Sequence, residues 1–441
     1  MFFSDAINKP HTGKVPAPYQ AVIFSEDEYK SKISALTRGV PSTLLPIANQ
    51  PALHYILNWL EKGNIKEVIL VLSPSANLQA EAQLTHYLTK VYQGPVKVEL
   101  YPVDVSVKSV QALSMLKHKI NGNFLVFGTS FICDVPLTNI LNEHSKRLPL
   151  MTSYFYENSK IESNSSEHVH PNIIGIEPNL GLWVYNKKHS SEDDLTIKMS
   201  LLNKYPRVNF YKNLYNSDLY IFSPWILDFI SNNNSLTTIC DDLIPLLVKL
   251  QSRNNLNAYD DLIKCISSKP PLLDPLVNQY ITSSGKNSEY VAQSEDKINC
   301  NIITQKTGIH GKLDSIPSYF DLNRQFAKFL SPEERIPGSV EKETTAQIGP
   351  DSVVGTGTKL SERTSIKKSI IGAHCTIGKQ VKIANTIIMD HVVIEDNVKL
   401  ENCIVCSNAV IMEKANLKEC EVSAAIKVEK NVAKKGEAII D

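Results

Sequence analysis

The sequence predicts two domains of different build, an α/β domain with a parallel sheet and, after it, a parallel β-helix. Three observations carry this reading. The chain has 441 residues, too many for one compact core. From Gln20 onward, short apolar strands alternate with helical segments. Between Ile348 and Val422, apolar residues recur at steps of five and six rather than the roughly 3.6 of an amphipathic helix.

Residues 1–19 show no such pattern and are expected to form a flexible tail, with the α/β domain over 20–251. Residues 21–24 (AVIF) read as a buried strand. A charged loop over 25–38 contains no glycine. The run Leu44-Leu-Pro-Ile47 and then Gln50–Leu60 open a helix, with Pro51 near its first turn. A second strand lies within 64–72, a helix over 80–92, an alternating strand over 96–101, a helix over 110–119 and a buried strand over 124–127. This alternation predicts helices on both faces of a parallel sheet. Trp59, Trp183 and Trp225 read as packing residues, as do Tyr154 and Tyr156. Residues 159–167 read as an exposed insertion and 231–236 as a surface turn. Residues 252–342 are expected to be a linker and mobile insertion with a connecting helix.

The β-helix is expected over 343–441. Ile348, Val354, Leu360 and Ile366 are six apart; thereafter the steps run five, six, six, a seventeen-residue coil. Ile366, Ile383, Leu400 and Leu417 share one register. Ile371, Ile388, Val405 and Val422 share a second, and Ile377, Ile394 and Ile411 a third. One coil cannot bury its own inward side chains, but stacked coils bury each other's. Ser369, Thr386, Cys403 and Cys420 form a column of small residues, expected at a tight corner. Gly349, Gly355, Gly372 and Gly378 each follow an inward residue, where a corner begins.

Composition excludes several functions. Lys+Arg and Asp+Glu both number 46, so the formal net charge is zero and gives no footprint for nucleic acid or an anionic membrane. No apolar run reaches the roughly 20 residues that cross a bilayer, and the first residues lack the core of a signal peptide. Eight scattered cysteines show no disulfide framework, which points to a reducing compartment. Cys403 and Cys406 have a metal-pair spacing but no further ligands complete a site, and the small-residue column accounts for Cys403. His168 and His170 read as a solvated loop edge. His374 and His391, one coil apart, read as an outward stack rather than an acyltransferase site.

The order of strand, loop, Leu44-Leu-Pro-Ile47, Asn49-Gln-Pro51, helix and terminal β-helix resembles the nucleotide-sugar pyrophosphorylases. The resemblance implies a Rossmann-like nucleotidyltransferase domain followed by a left-handed β-helix of hexapeptide repeats. It implies a Gly-rich phosphate loop, a Pro-Lys pair and a metal-binding Asp after the strand at 124–127. This sequence departs at all three. Its loop has no glycine and carries Glu26, Asp27 and Glu28; Pro41 is followed by Ser42; Ser130 stands at the Asp position and is a poor Mg²⁺ ligand. Asp134 lies four residues on, too far to substitute. Nucleotidyl transfer needs positioning and charge neutralisation, so no catalytic, cofactor-binding or metal-ligating residue is assigned and no cofactor is expected.

Three stretches, 237–248 (TTICDDLIPLLV), 319–330 (YFDLNRQFAKFL) and 364–372 (TSIKKSIIG), together with 219–222 and 228–230, are similar to the gamma subunits of translation initiation factor 2B. Epsilon subunits share this layout but continue into a helical-repeat domain, for which a chain ending at Asp441 leaves no room. The resemblance implies a non-catalytic cytosolic subunit that pairs with epsilon, in a larger complex with alpha, beta and delta. That complex exchanges GDP for GTP on initiation factor 2, with no direct nucleic acid or membrane contact. The alternatives are a nucleotide-sugar pyrophosphorylase of the GDP-mannose type, or its inactive regulatory, nucleotide-sugar-sensing counterpart.

Overall fold

A computed structural model describes residues 19–25, 36, 41–72, 78–104, 107–147, 149–157, 173–177, 181–186, 199–204, 207–211, 214–233, 235–252 and 300–439. Residues 1–18 of the expected tail over 1–19, the acidic triplet Glu26–Glu28, the insertion at 159–167, His168, His170 and residues 253–299 lie outside them.

Seven strands form the central sheet: β1 (Gln20–Phe24), β2 (Glu67–Leu72), β3 (Lys97–Pro102), β4 (Phe124–Gly128), β5 (Met151–Glu157), β6 (Leu214–Phe222) and β7 (Cys300–Gln305), in the order β7-β5-β6-β4-β1-β2-β3. β3, β2, β1 and β4 are parallel. The expected all-parallel arrangement fails at β6, which runs antiparallel to both β4 and β5. Between β5 and β6 comes a separate three-stranded sheet (Ile173–Glu177, Gly181–Asn186, Asn209–Tyr211). The chain therefore returns from the same end at which it left.

Alternate residues of the strands feed two cores. Val22, Ile69, Val71, Phe124 and Val126 pack on α3 (Ser109–Met115), α5 (Trp225–Asn232) and α6 (Ile244–Ser252). Ala21, Ile23, Val68, Leu70 and Phe127 pack on the other face against α1 (Ala52–Lys62), α2 (Leu78–His86) and α4 (Leu137–Arg147). Burial on both faces explains why these strands read as unbroken apolar runs. Gly63 follows the last turn of α1, where a Cβ would lie 2.4 Å from Leu137 Cδ2, so only glycine fits there without a shift. Trp59 donates from Nε1 to Val135 O (2.6 Å) and meets Phe127 edge-on. Tyr154 and Tyr156 are buried as expected, and Trp225 is half-buried against Phe229; the side chain of Trp183 lies outside the described set.

Part of the expected linker is structured. β7 extends the central sheet beside β5, and His310–Lys312 pairs antiparallel with Phe131–Cys133. A long helix, α7 (Ile316–Phe329), follows.

The β-helix has three six-stranded parallel faces, from Glu341–Lys342 to Ala438–Ile439, so it extends past both ends of the clear repeat. The three inward registers are as predicted: Ile366 pairs with Ile383, Ile371 with Ile388 and Ile377 with Ile394, all about fully buried. The small column lies at the corners, as expected, each member in the two-residue connector between strands, as Ser369 is between Ser365–Lys367 and Ile370–Ile371. The left-handed backbone sits one residue before the small column, at Lys368, Asn385, Asn402 and Glu419 (φ 49°, 46°, 54° and 53°). Ser369, Thr386, Cys403 and Cys420 point inward, each bonding the carbonyl two residues back. Two more left-handed columns include His374 with His391 and Gln380 with Asn397. Gly355 and Gly372 have ordinary φ. Their lack of a Cβ permits close coil stacking, since a Cβ on Gly355 would lie 2.4 Å from Gly372 C.

α7 lies between the two domains. Outward Ile387, Met389, Ile404 and Cys406 of the third β-helix face (353–354, 370–371, 387–388, 404–405, 421–422, 438–439) share one cluster with Leu45, Ile47, Tyr319 and Leu322. Val353 and Ile370 pack on Ala327.

Candidate functional site

In a sheet of this order the strands reverse direction of succession between β1 and β4, and ligands of open α/β sheets bind at the carboxyl ends of such a pair. Here those ends are Phe24–Ser25 and Gly128–Thr129–Ser130. They are tied together by their own hydroxyls. Thr129 donates its N–H to Phe24 O (3.0 Å) and its Oγ1 to Ser25 O (3.0 Å). Ser42 Oγ donates to the same Ser25 carbonyl at 2.8 Å. Ser25, Thr129 and Ser130 are all buried. The position where a lysine is expected of a phosphate binder is thus a serine turned into the protein, and the Ser130 carbonyl accepts from Leu313 N at 2.9 Å. Asp134 is exposed beyond the strand Phe131–Cys133, roughly 13 Å of extended chain from Ser130.

The segment Leu44–Pro51, which carried the family resemblance, is not simply the start of a helix. Pro46–Ile47 and Gln50–Pro51 form a tight hairpin with Ala48 and Asn49 at φ 47° and 66°, and α1 begins at Ala52. Its polar groups face the neighbouring elements. Ala48 N donates to Asn323 Oδ1 (2.9 Å), Tyr319 OH to Pro46 O (2.6 Å), and Asn49 Nδ2 to Ile371 O of the β-helix (2.8 Å). The hairpin is a clamp between domains.

A second group at the same carboxyl edge escaped sequence reasoning. Asp218 sits in a bulge of β6 at φ 56°, its N–H held by Asn216 Oδ1 (3.0 Å), and forms an ion pair with Lys312. The two side chains are 19% and 14% exposed. Tyr156 lies beside the pair, stacked on Tyr215 and packed on His310. Burial pushes Asp314 above the usual carboxylate range, partly offset by Lys312, and the Tyr156 phenol well above its ordinary value. Burial lowers His310, against a bond to the Glu157 carbonyl. No local sequence signal marks this group, because Asp218 and Lys312 are 94 residues apart in sequence. Its geometry ties β6 to the strand at 310–312; it is an ion pair holding two elements, with one cation between two carboxyls.

Among the described residues no group of three or more His, Cys, Asp or Glu side chains is placed to hold a metal ion. Cys403 faces the β-helix interior, whereas Cys406 faces the domain interface, and burial raises their thiols to about 11 and about 12. They do not converge. His374 and His391 are exposed and stacked, ring centroids 5.3 Å apart at 12°. An open groove of about 670 Å³ lies away from the β1/β4 crevice, between α4 and β7, lined by Asn139, Glu143, Lys146 and Gln305 among others.

Fold and crevice together define a nucleotidyltransferase-like α/β protein that carries a left-handed β-helix. A family profile described as "EIF2B subunit epsilon LbH domain" matches residues 337–433. Translation initiation factor eIF2B subunit gamma of Schizosaccharomyces pombe is 34% identical over 364 residues, 80% of this chain and 74% of the relative. The same subunit of Dictyostelium discoideum is 29% identical over 385 residues, 80% and 86% of the two chains. Mannose-1-phosphate guanyltransferase of Gibberella zeae is 25% identical over 233 residues, 53% of this chain and 56% of that one. The chain belongs to the eIF2B subunit gamma family. No helix among the described residues is long and apolar enough to cross a membrane.

Proposed function

We propose that this chain serves, without catalysis of its own, in the assembly that exchanges GDP for GTP on initiation factor 2. It pairs there with an epsilon subunit, in a larger cytosolic complex with alpha, beta and delta subunits. Its nucleotidyltransferase site is degenerate and takes no metal or cofactor. Domains over 20–251 and 343–441, joined through 252–342, supply scaffold and binding surface. The observation that supports this most is the hydroxyl closure of the β1/β4 crevice, where Thr129 and Ser42 both spend their hydroxyls on Ser25 O. Phosphoryl chemistry relies on charge neutralisation, and these groups are neutral.

The test is a tagged pull-down from the native cytosol read by mass spectrometry, with a pyrophosphorylase assay on the purified chain. Recovery of epsilon and the other subunits, with no pyrophosphate released from GTP in the presence of mannose 1-phosphate, supports the proposal. Turnover of that substrate pair would move the reading to the GDP-mannose pyrophosphorylase alternative, which the partial match to a guanyltransferase favours.

A further inference from the structure

The three β-helix faces differ in what they present. The third is apolar and covered by α7 and the hairpin. The first (341–342, 359–360, 376–377, 393–394, 410–411, 427–428) mixes Lys359 and Lys427 with Glu341 and apolar Val393 and Val410. The second, built from 347–348, 365–367, 382–384, 399–401, 416–418 and 433–435, is basic. From 365 onward its outward strand positions hold five lysines, Lys367, Lys382, Lys399, Lys418 and Lys435, against one acid, Glu401.

This charge is arranged at a cost. Lys382 stands directly opposite Lys399 on the next coil, and Lys418 opposite Lys435. Neighbouring coils are about 4.8 Å apart, and like charges directly opposite destabilise a sheet. Lys418 is offset by Glu401 at 2.8 Å. Lys399 is attracted to the same Glu401 without forming an ion pair with it, and Lys367, Lys382 and Lys435 have no ion pair among the described residues. A folded scaffold tolerates such a column most readily when something outside the chain neutralises it.

We propose that the second β-helix face docks an acidic segment of a protein partner. Charge complementarity sets the sign of the partner, and the side-chain types set its class. Single-stranded nucleic acid sites stack bases on aromatic side chains, and the outward strand positions of this face hold none. Its lysine ammoniums are point charges, which pair with carboxylates without a fixed donor geometry. The inference goes beyond membership of an exchange-factor assembly and stands on the charge of this face alone.

The experiment uses the full chain and a fluorescein-labelled oligoglutamate peptide, read by fluorescence anisotropy at low salt. Saturable binding is expected, weakening as salt rises. Lys382→Glu with Lys399→Glu is expected to weaken it about tenfold or more. Lys382→Gln with Lys399→Gln should fall between, and its unfolding temperature should equal or exceed that of the parent because a repulsion is gone. Lys359→Glu with Lys427→Glu, on the first face, should leave binding unchanged. Absence of saturable binding to the parent chain overturns the proposal. So does equal loss from the two faces, or tighter binding of oligouridylate than of oligoglutamate.

Discussion

Truncating Ile387 separates two kinds of stability in this molecule. Ile387 and Ile388 are sequence neighbours, 4% and 1% exposed, but they point in opposite directions. Ile388 faces the β-helix interior beside Ile371 and Val405. Ile387 faces out, into the cluster made with Tyr319, Leu322, Leu45 and Ile47. Either change to alanine removes three carbons. At roughly 0.8 kcal/mol per buried methylene the transfer loss alone is about 2.4 kcal/mol, and an unrelaxed cavity raises this toward 4. Each kcal/mol moves the midpoint by about 2–4 °C for a domain the size of the α/β domain and by about 4–8 °C for one the size of the β-helix, so about 5–15 °C is expected for Ile387→Ala and about 10–30 °C for Ile388→Ala.

What differs is where the loss falls. Ile388→Ala should lower the transition of the β-helix itself. Ile387→Ala should leave the coils intact and weaken docking, so the α/β domain and α7 melt earlier while the β-helix transition stays in place. Differential scanning calorimetry of the two variants beside the parent chain reads this directly. Equal lowering of one and the same transition by both variants would refute the assignment of Ile387 to a docking face. So would a parent-like trace for Ile387→Ala.

The hairpin and the carboxyl edge give further expectations. Asn49→Ala removes the bond to Ile371 O and places alanine at φ 66°, which together cost about 1–3 kcal/mol; the loss should appear in the docking transition of the same calorimetric trace. Lys312→Met leaves the Asp218 carboxylate without its cation; breaking a fully buried pair costs about 3–5 kcal/mol, and the exposure of this one reduces the expectation to about 2. Adding Asp218→Asn should recover most of that in thermal unfolding, and a neutral Lys312→Met would show that the pair carries no stability. His144, 2% exposed and bonded to Thr152 Oγ1 at 2.7 Å, is held down to about 4 by burial. Its folded-state value lies below the unfolded one of about 6.5, so its contribution is complete above pH 6.5 and is lost as pH falls toward 4, about 3 kcal/mol in all. Denaturant titrations of His144→Gln against the parent chain should converge with decreasing pH across that window.

The sequence disclosed the repeat because the inward positions of a β-helix obey a strict period, and each of the three registers falls in one parallel stack. The docking face was also written there, as the doublets Ile370-Ile371, Ile387-Ile388 and Ile404-Val405. Adjacent apolar residues on a strand mean that both sides are buried, yet a search for inward residues uses only the second of each pair. The corners were harder. Asn385 and Asn402 suit a left-handed backbone, but Lys368 and Glu419 take the same conformation without favouring it. Stacking against the previous coil imposes it, as in the bond from Asn402 N to Ala384 O. The Asp218–Lys312 pair was illegible because sheet pairing, not local sequence, brings its partners together. The antiparallel course of β6 depends on the intervening small sheet, which no residue pattern within β6 records.

Leu44–Ile47 and Asn49–Pro51 are the residues that resemble a nucleotidyltransferase most, and in the structure their polar groups reach Tyr319, Asn323 and Ile371. Their apolar side chains, Leu45 and Ile47, are buried against the β-helix face and α7. Nothing in that set of contacts requires a bound nucleotide. The carbonyl of Ser25, by contrast, sits at the crevice and is satisfied by two hydroxyls from within the chain. The hairpin therefore has a mechanical reason to keep its sequence, namely to hold two domains and a helix in one orientation. A match in this motif is thus evidence for the two-domain architecture and carries no weight for chemistry, which has to be argued from Ser25, Ser42, Thr129 and Ser130.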